Sequence, residues 1–204
     1  MPHPITALPR RALLGAALIL PLAPRLAVAA PRTLAFAVFR NDARIGEHHV
    51  AFAGDGEAVT ATTDAEMVVR LGPVPIFKYR HHALETVRAG AFSSLETRTT
   101  TNGKLEHVVA ERTAGGVDVD GPSGKLVLSG NVSPLNHWNQ KSFPGPFFNP
   151  ETGKPMRLQV SRAGPSRWAI RGEVEMEDVY DEAGQWIGAK AKGTDGSTIE
   201  YRRI

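Results

Sequence analysis

Apolar residues recur at every second position along most of this chain, and turn residues interrupt the alternation at short intervals. Leu34, Phe36 and Val38 open the pattern, and Val50 and Phe52 continue it on a face shared with His48. Val59, Ala61, Thr63, Ala65, Met67 and Val69 then share one face, while Thr60, Thr62, Asp64, Glu66 and Arg70 share the other. Alternation with one dry and one wet face predicts antiparallel strands laid over a core on one side. After the break at Leu71-Gly72-Pro73-Val74-Pro75, Phe77, Tyr79, His81, Ala83 and Val87 form the next inward row. Asn102-Gly103 is the sharpest hairpin signal, because both residues accept φ > 0. Trp168, Ile170, Val174, Met176 and Tyr180 read as the inward row of one long run, with Arg171, Glu173, Glu175 and Glu177 outward. About eleven strands are expected from these runs and their turns. Connections this short make consecutive strands antiparallel neighbours. The expected fold is therefore all-β, a long-stranded antiparallel up-and-down sheet that curls into a half-barrel or a barrel.

One stretch breaks the pattern. Asn131 to Pro155 reads NVSPLNHWNQKSFPGPFFNPETGKP and holds Pro134, Pro144, Pro146, Pro150 and Pro155. Proline lacks an N–H and fixes φ, so no central strand can run through it. A helical turn or two fits only between Pro134 and Ser142. The stretch also carries Trp138, Phe143, Phe147 and Phe148. A long loop with this much apolar surface is expected to fold back and cover an apolar opening in the sheet.

The first 29 residues look removable. Arg10-Arg11 precedes an apolar run from Ala12 to Leu22, and Ala27-Val28-Ala29 supplies a small-x-small cleavage site. This is the pattern of an export signal, and the paired arginines favour the twin-arginine route over the general secretory one. The apolar run falls short of the roughly 20 residues a membrane span needs, so no stable membrane anchor is expected after cleavage. Residues 30–204 then form a single β domain in the periplasm. The signal takes Arg10, Arg11 and Arg25 and no acid, so 24 basic residues against 21 acidic become 21 against 21. Zero net charge gives no support to nucleic-acid binding. With no cysteine in the chain, the fold has no disulfide and rests on core packing.

Four segments carry a family resemblance: His137-Trp138-Asn139, Asn149-Pro150-Glu151-Thr152-Gly153, the run from Tyr180 to Gly188, and the run from Asp195 to Tyr201. In this order they resemble domain-of-unknown-function family 6134, a group of exported bacterial β-proteins, from about Leu34 to the C-terminus. The layout is also similar to other periplasmic curved-sheet proteins such as lipoprotein carriers, by analogy of layout alone. The resemblance implies no known activity and no known catalytic residue.

Candidate chemistry is sparse. Adjacent strand residues point to opposite faces, so His48-His49 and His81-His82 each send one ring inward. His48 and His81 take the inward phase and can share a site with His137. No H-x-H or H-E-x-x-H spacing accompanies them, and hydrogen-bonded core histidines are preferred to a metal site. Asp195-Gly196-Ser197 is turn chemistry. No catalytic set, metal or cofactor is expected. The aromatic set is more informative, because aromatics with polar tips on a concave sheet suit an apolar ligand. The candidate ligand-binding residues are Phe77, Tyr79, His81, His137, Trp138, Phe143, Phe147, Phe148 and Trp168. The leading expectation is a binding module for an apolar small molecule or lipid. An envelope scaffold with a filled core and an unknown protein partner is the alternative. An enzyme using His137 or His81 as a general base, oriented by a carboxylate, ranks third.

Overall fold

The computed structural model describes residues 32–54 and 56–204. The export signal inferred for residues 1–29 lies outside the described residues.

The alternating pattern becomes two meanders. The first runs through β1 (Arg32–Arg40), β2 (Ala43–Gly54), β3 (Ala58–Leu71), β4 (Val74–Arg88), β5 (Ala91–Thr101), β6 (Lys104–Thr113), β7 (Gly116–Gly121) and β8 (Gly124–Leu128). The proline-rich stretch follows, with two-residue strands β9 (Ser133–Pro134) and β10 (Phe147–Phe148) and a 3-10 turn at Gln140–Ser142. The second meander is β11 (Leu158–Gly164), β12 (Arg167–Gly172), β13 (Met176–Tyr180), β14 (Trp186–Lys192) and β15 (Thr198–Arg203). β15 pairs antiparallel with β1 and joins the meanders into one 13-stranded sheet, in the order β11-β12-β13-β14-β15-β1-β2-β3-β4-β5-β6-β7-β8. β8 and β11 stay at the two edges, so the curved sheet does not close. The barrel alternative drops out and the half-barrel stands.

Two local requirements fix the register. Asn102 (φ 50) and Gly103 (φ 89) both take the left-handed conformation that a tight β5–β6 hairpin needs. At Gly46 a Cβ would meet the Glu66 carbonyl oxygen at 1.8 Å, so only glycine lets β2 approach β3 beside the irregularity at Val38/Phe39.

Two features of the sheet differ from the sequence expectation. The described residues hold more than the eleven strands expected, because the proline-rich stretch contributes the two-residue β9 and β10 and because one run divides. The run from Trp168 to Tyr180 is not one strand. Gly172 (φ 130) turns the chain, and β12 and β13 form a hairpin in which Ile170 faces Met176. The even-numbered phase survives the turn because Ile170 and Met176 pair directly and so share a face.

The core forms two clusters. Phe92, Leu95, Val108, Val117 and Val119 of β5–β7 pack around Phe148 and Val132. Leu34, Phe36, Val50, Phe52, Tyr180 and Trp186 form the other, with Trp138, Phe143 and Trp168 against it. The proline-rich stretch thus contributes to both clusters as it passes from edge strand β8 to edge strand β11 across the inner face. Arg112 ties its start by donating to the Gly130 and Val132 carbonyls, and Thr97 donates to the Pro150 carbonyl at 2.8 Å.

Candidate functional site

Strand direction decides what sits at each end of the sheet. The β1–β2, β3–β4, β5–β6, β12–β13 and β14–β15 turns share one end. Between them opens a cavity of about 490 Å³, inside the roughly 300–1,000 Å³ range of small-molecule sites. Its walls are Ile45, Met67, Val69, Ile76, Phe77, Met176, Ala191 and Ile199, with Arg40, Asp195 and Ser197 at the same mouth. Asp195 pairs with Arg40, and the Ser197 hydroxyl and amide, then Arg40, hold its carboxyl well below the usual carboxylate range. This is the turn role that Asp-Gly-Ser chemistry predicts.

A second cavity of about 170 Å³ lies against the first, and Met67, Tyr79, Glu151 and Tyr201 line both. The Tyr79 hydroxyl donates to Glu151 Oε1 at 2.7 Å at this junction. Burial raises the Tyr79 phenol and raises Glu151, the latter against the opposing hydrogen bond. The inner chamber differs in character from the mouth. His48, His81, Glu85, Asn136 and His137 line it, with Ala65, Ala83, Leu95, Trp138 and Trp186 between them.

Each polar group has a defined state. Burial is the main cause lowering His81 to about 4 and His48 to about 3, so both are neutral at pH 7. His81 Nδ1 lies 2.7 Å from Thr99 Oγ1. His48 sits edge-on to Phe36, Trp186 and Tyr201 and forms no hydrogen bond to a described residue. Glu85 is 4% exposed. Burial pushes it up to about 8 although its oxygens accept from Asn136 Nδ2 at 2.9 and 3.0 Å, because desolvation outweighs those bonds. His137 is the exception. Burial alone would lower it, but the wholly buried Asp178 carboxylate, 2.9 Å from Nδ1, raises it on balance. The Tyr180 hydroxyl donates to the His137 carbonyl at 2.8 Å, and the imidazole lies 5.1 Å from the Trp186 ring. A carboxylate on Nδ1 fixes the tautomer and orientation of the ring. Asp178 Oδ2 is thus paired with His137, Asp178 Oδ1 has no partner among the described residues, and His48, His81 and Glu85 face the chamber uncharged at pH 7.

The predicted site residues divide between these surroundings. Phe77 lines the mouth, Tyr79 the junction, and His81, His137 and Trp138 the chamber. Phe143, Phe147, Phe148 and Trp168 line neither cavity. Phe147 and Phe148 are buried, Phe148 packs at 5.8 Å on Phe92, and Phe143 sits edge-on to Phe147 and Trp168. The covering stretch therefore plugs the core with its phenylalanines and walls the chamber with His137 and Trp138. His48, His81 and His137 do converge on the chamber. Among the described residues, however, no group of three His, Cys, Asp or Glu side chains is placed to hold a metal ion. Glu85, Asp178, Asn136, Glu151 and Tyr201 were not singled out from sequence. The signal for the first two was alternation itself, since Glu85 is in phase with Ala83 and Val87, and Asp178 with Met176 and Tyr180.

No curated protein matches the chain. A similar solved structure is the crystal structure of a β-barrel-like protein of the domain of unknown function DUF1849 from Brucella abortus. It has 10% identity and a TM-score of 0.58, covering 85% of this chain and 95% of that one. At that identity the likeness speaks for the fold alone. The family profile of domain of unknown function DUF6134 matches residues 36–204, and with that span covering nearly all of the sheet, the chain belongs to the DUF6134 family.

Proposed function

We propose that this protein is a periplasmic binding module for a small amphiphile. The apolar body of the ligand occupies the mouth, and an uncharged hydrogen-bonding end points through the junction toward the chamber. The observation that carries the reading is the adjacency of an apolar cavity and a smaller one lined by polar side chains, with Met67, Tyr79, Glu151 and Tyr201 common to both walls. The chamber, at about 170 Å³, is too small for a whole drug-sized ligand. It has room for a polar head and its ordered water. His48 offers a neutral imidazole with no hydrogen bond to a described residue, suited to a hydroxyl or amide. A carboxylate head has no unmatched cation to meet there, since Asp178 already pairs with His137. Export is supported by the Arg10-Arg11 and Ala27-Val28-Ala29 pattern.

The test is uptake of a neutral fluorescent probe, N-phenylnaphthylamine, by the mature protein. Uptake is expected in the parent and is expected to fall at least tenfold in Phe77→Asp, which places a charge on the apolar wall. A parent protein that takes up no probe overturns the reading. Terminal sequencing of protein recovered from the periplasm is expected to begin at Ala30, and recovery only from the cytoplasm contradicts the localisation.

A further inference from the structure

The β3–β4 hairpin runs past its own pairing with the flanking strands β2 and β5. β2 pairs with β3 no further than Gly46 opposite Met67, and β4 pairs with β5 no further than Tyr79 opposite Thr101. Beyond these, Val68–Leu71 pair only with Val74–Lys78 among the described strands, and Lys78 exchanges two further bonds with Asn102, its amide donating to Oδ1 and its carbonyl accepting from the Asn102 amide. Four residues, Val68 to Leu71, at ~3.3 Å each extend β3 about 13 Å past its last pairing with β2. The hairpin end is apolar where a free ribbon would ordinarily be polar. Leu71 is 72% exposed, Val74 57% and Ile76 56%.

The charges beside the tip are of one sign and unmatched. Arg70 donates to the Pro73 carbonyl at 3.1 Å, and neither it nor Lys78 meets a carboxylate among the described residues. The next basic residues are neutralised, Arg80 by Glu66 at 3.1 Å and Lys104 by Glu106 at 2.8 Å. The tip also continues the mouth, because Val69, Ile76 and Phe77 belong to both the ribbon and the cavity wall.

We infer that the β3–β4 tip docks the protein on an anionic phospholipid surface. Leu71 and Val74 enter the headgroup–acyl boundary, and Arg70 and Lys78 meet lipid phosphates. Apolar side chains ringed by unpaired cations are the chemistry of such a surface, and apolar insertion of about 5–10 Å is within the reach of this ribbon. Docking here sets the mouth against the bilayer, so an amphiphile passes between them without crossing water. That consequence rests on the binding reading above, whereas the docking rests on the tip alone.

The experiment is flotation of mature protein with vesicles of phosphatidylglycerol and phosphatidylethanolamine, beside phosphatidylcholine alone. The parent is expected to float with the anionic vesicles. The double substitution Leu71→Asp with Val74→Asp, at residues outside the mouth wall, is expected to lose at least tenfold in the bound fraction. Arg70→Gln and Lys78→Gln are each expected to lose roughly fivefold, with added salt removing the difference. Three results overturn the inference: a parent that stays at the bottom of the gradient, an aspartate variant that floats equally well, or a tip-dependent dimer without vesicle binding. Probe uptake measured without vesicles reads the cavity separately, so failed docking with retained uptake rejects only the tip, and the reverse rejects only the ligand.

Discussion

The half of the sheet around β5–β7 and the half around β2, β4 and β14 meet the same proline-rich stretch and end up differently. Over β5–β7 the inner rows are Phe92, Leu95, Val108, Val117 and Val119, and Phe148 packs among them, itself fully buried. Over the other half the inner rows carry His48, His81 and Glu85, and the stretch brings Asn136, His137 and Trp138 to them while its Phe143 packs on the neighbouring core cluster. A chamber remains there because polar rings and carboxyls do not close on an apolar insert without losing hydrogen bonds. One segment thus makes a core where the sheet is dry and a wall where it is not. The first half is filled, and the second combines its own core cluster with the chamber.

The contrast predicts unequal responses to substitution. Phe148→Ala, in the filled half, is expected to cost about 3–5 kcal/mol, as deletion of a buried aromatic does, and to lower the thermal midpoint sharply. Trp138→Ala, at the chamber wall and only partly buried, is expected to cost clearly less in the same melts while weakening probe uptake. Equal losses at the two positions would erase the distinction between plug and wall.

The hollow half is also expected to make stability depend on pH, and the signs can be worked out. Glu85 titrates near 8 in the folded protein, well above its unfolded value, so the stability it contributes is present at low pH and lost as pH rises from about 4.5 to 8. The loss is about 1.4 kcal/mol per pH unit while one proton separates the two states. Glu85→Gln removes this slope, so the variant should gain on the parent by that amount per unit across the window, read by urea denaturation at pH 5 and pH 8. His48 and His81 act in the opposite sense. Their folded values of about 3 and about 4 lie below the unfolded one, so stability is lost as pH falls below about 6.5. His48→Phe keeps a ring in place and is expected to remove about one proton's worth of that acid slope, again about 1.4 kcal/mol per unit. Parallel pH profiles for parent and variants would show that these groups are not buried as described. The smallest effect is expected at the hairpin tip. Leu71→Asp with Val74→Asp should leave the melt within about 0.5 kcal/mol of the parent, since exposed positions contribute little to folding.

Much of the fold was legible because a half-wet sheet writes period two into its sequence. Asn102-Gly103, the inward rows of β3 and β4, and the refusal of the proline-rich stretch to join the sheet all follow from local chemistry. The run from Trp168 to Tyr180 reads as one strand in sequence because the β12–β13 hairpin preserves phase, leaving alternation blind to the turn at Gly172. The site was less legible. Alternation puts Glu85 and Asp178 inside, yet an acid in an apolar row is easily passed over when its partner lies far along the chain. Asn136 and His137 reach them from a loop whose path no periodicity encodes. The split of the aromatics into plug and wall is likewise tertiary, since Phe148 and Trp138 look alike in sequence and differ only in which strands they meet.

The central claim is that the hollow half receives an uncharged polar end behind an apolar body. Competition between dodecanol and dodecanoate for bound N-phenylnaphthylamine at pH 7 tests it most directly, because the two chains match and only the head differs. Dodecanol is expected to displace the probe at a concentration at least tenfold lower, and His48→Phe is expected to shrink that advantage. Preference for dodecanoate in the parent protein would contradict the neutral chamber and the account built on it.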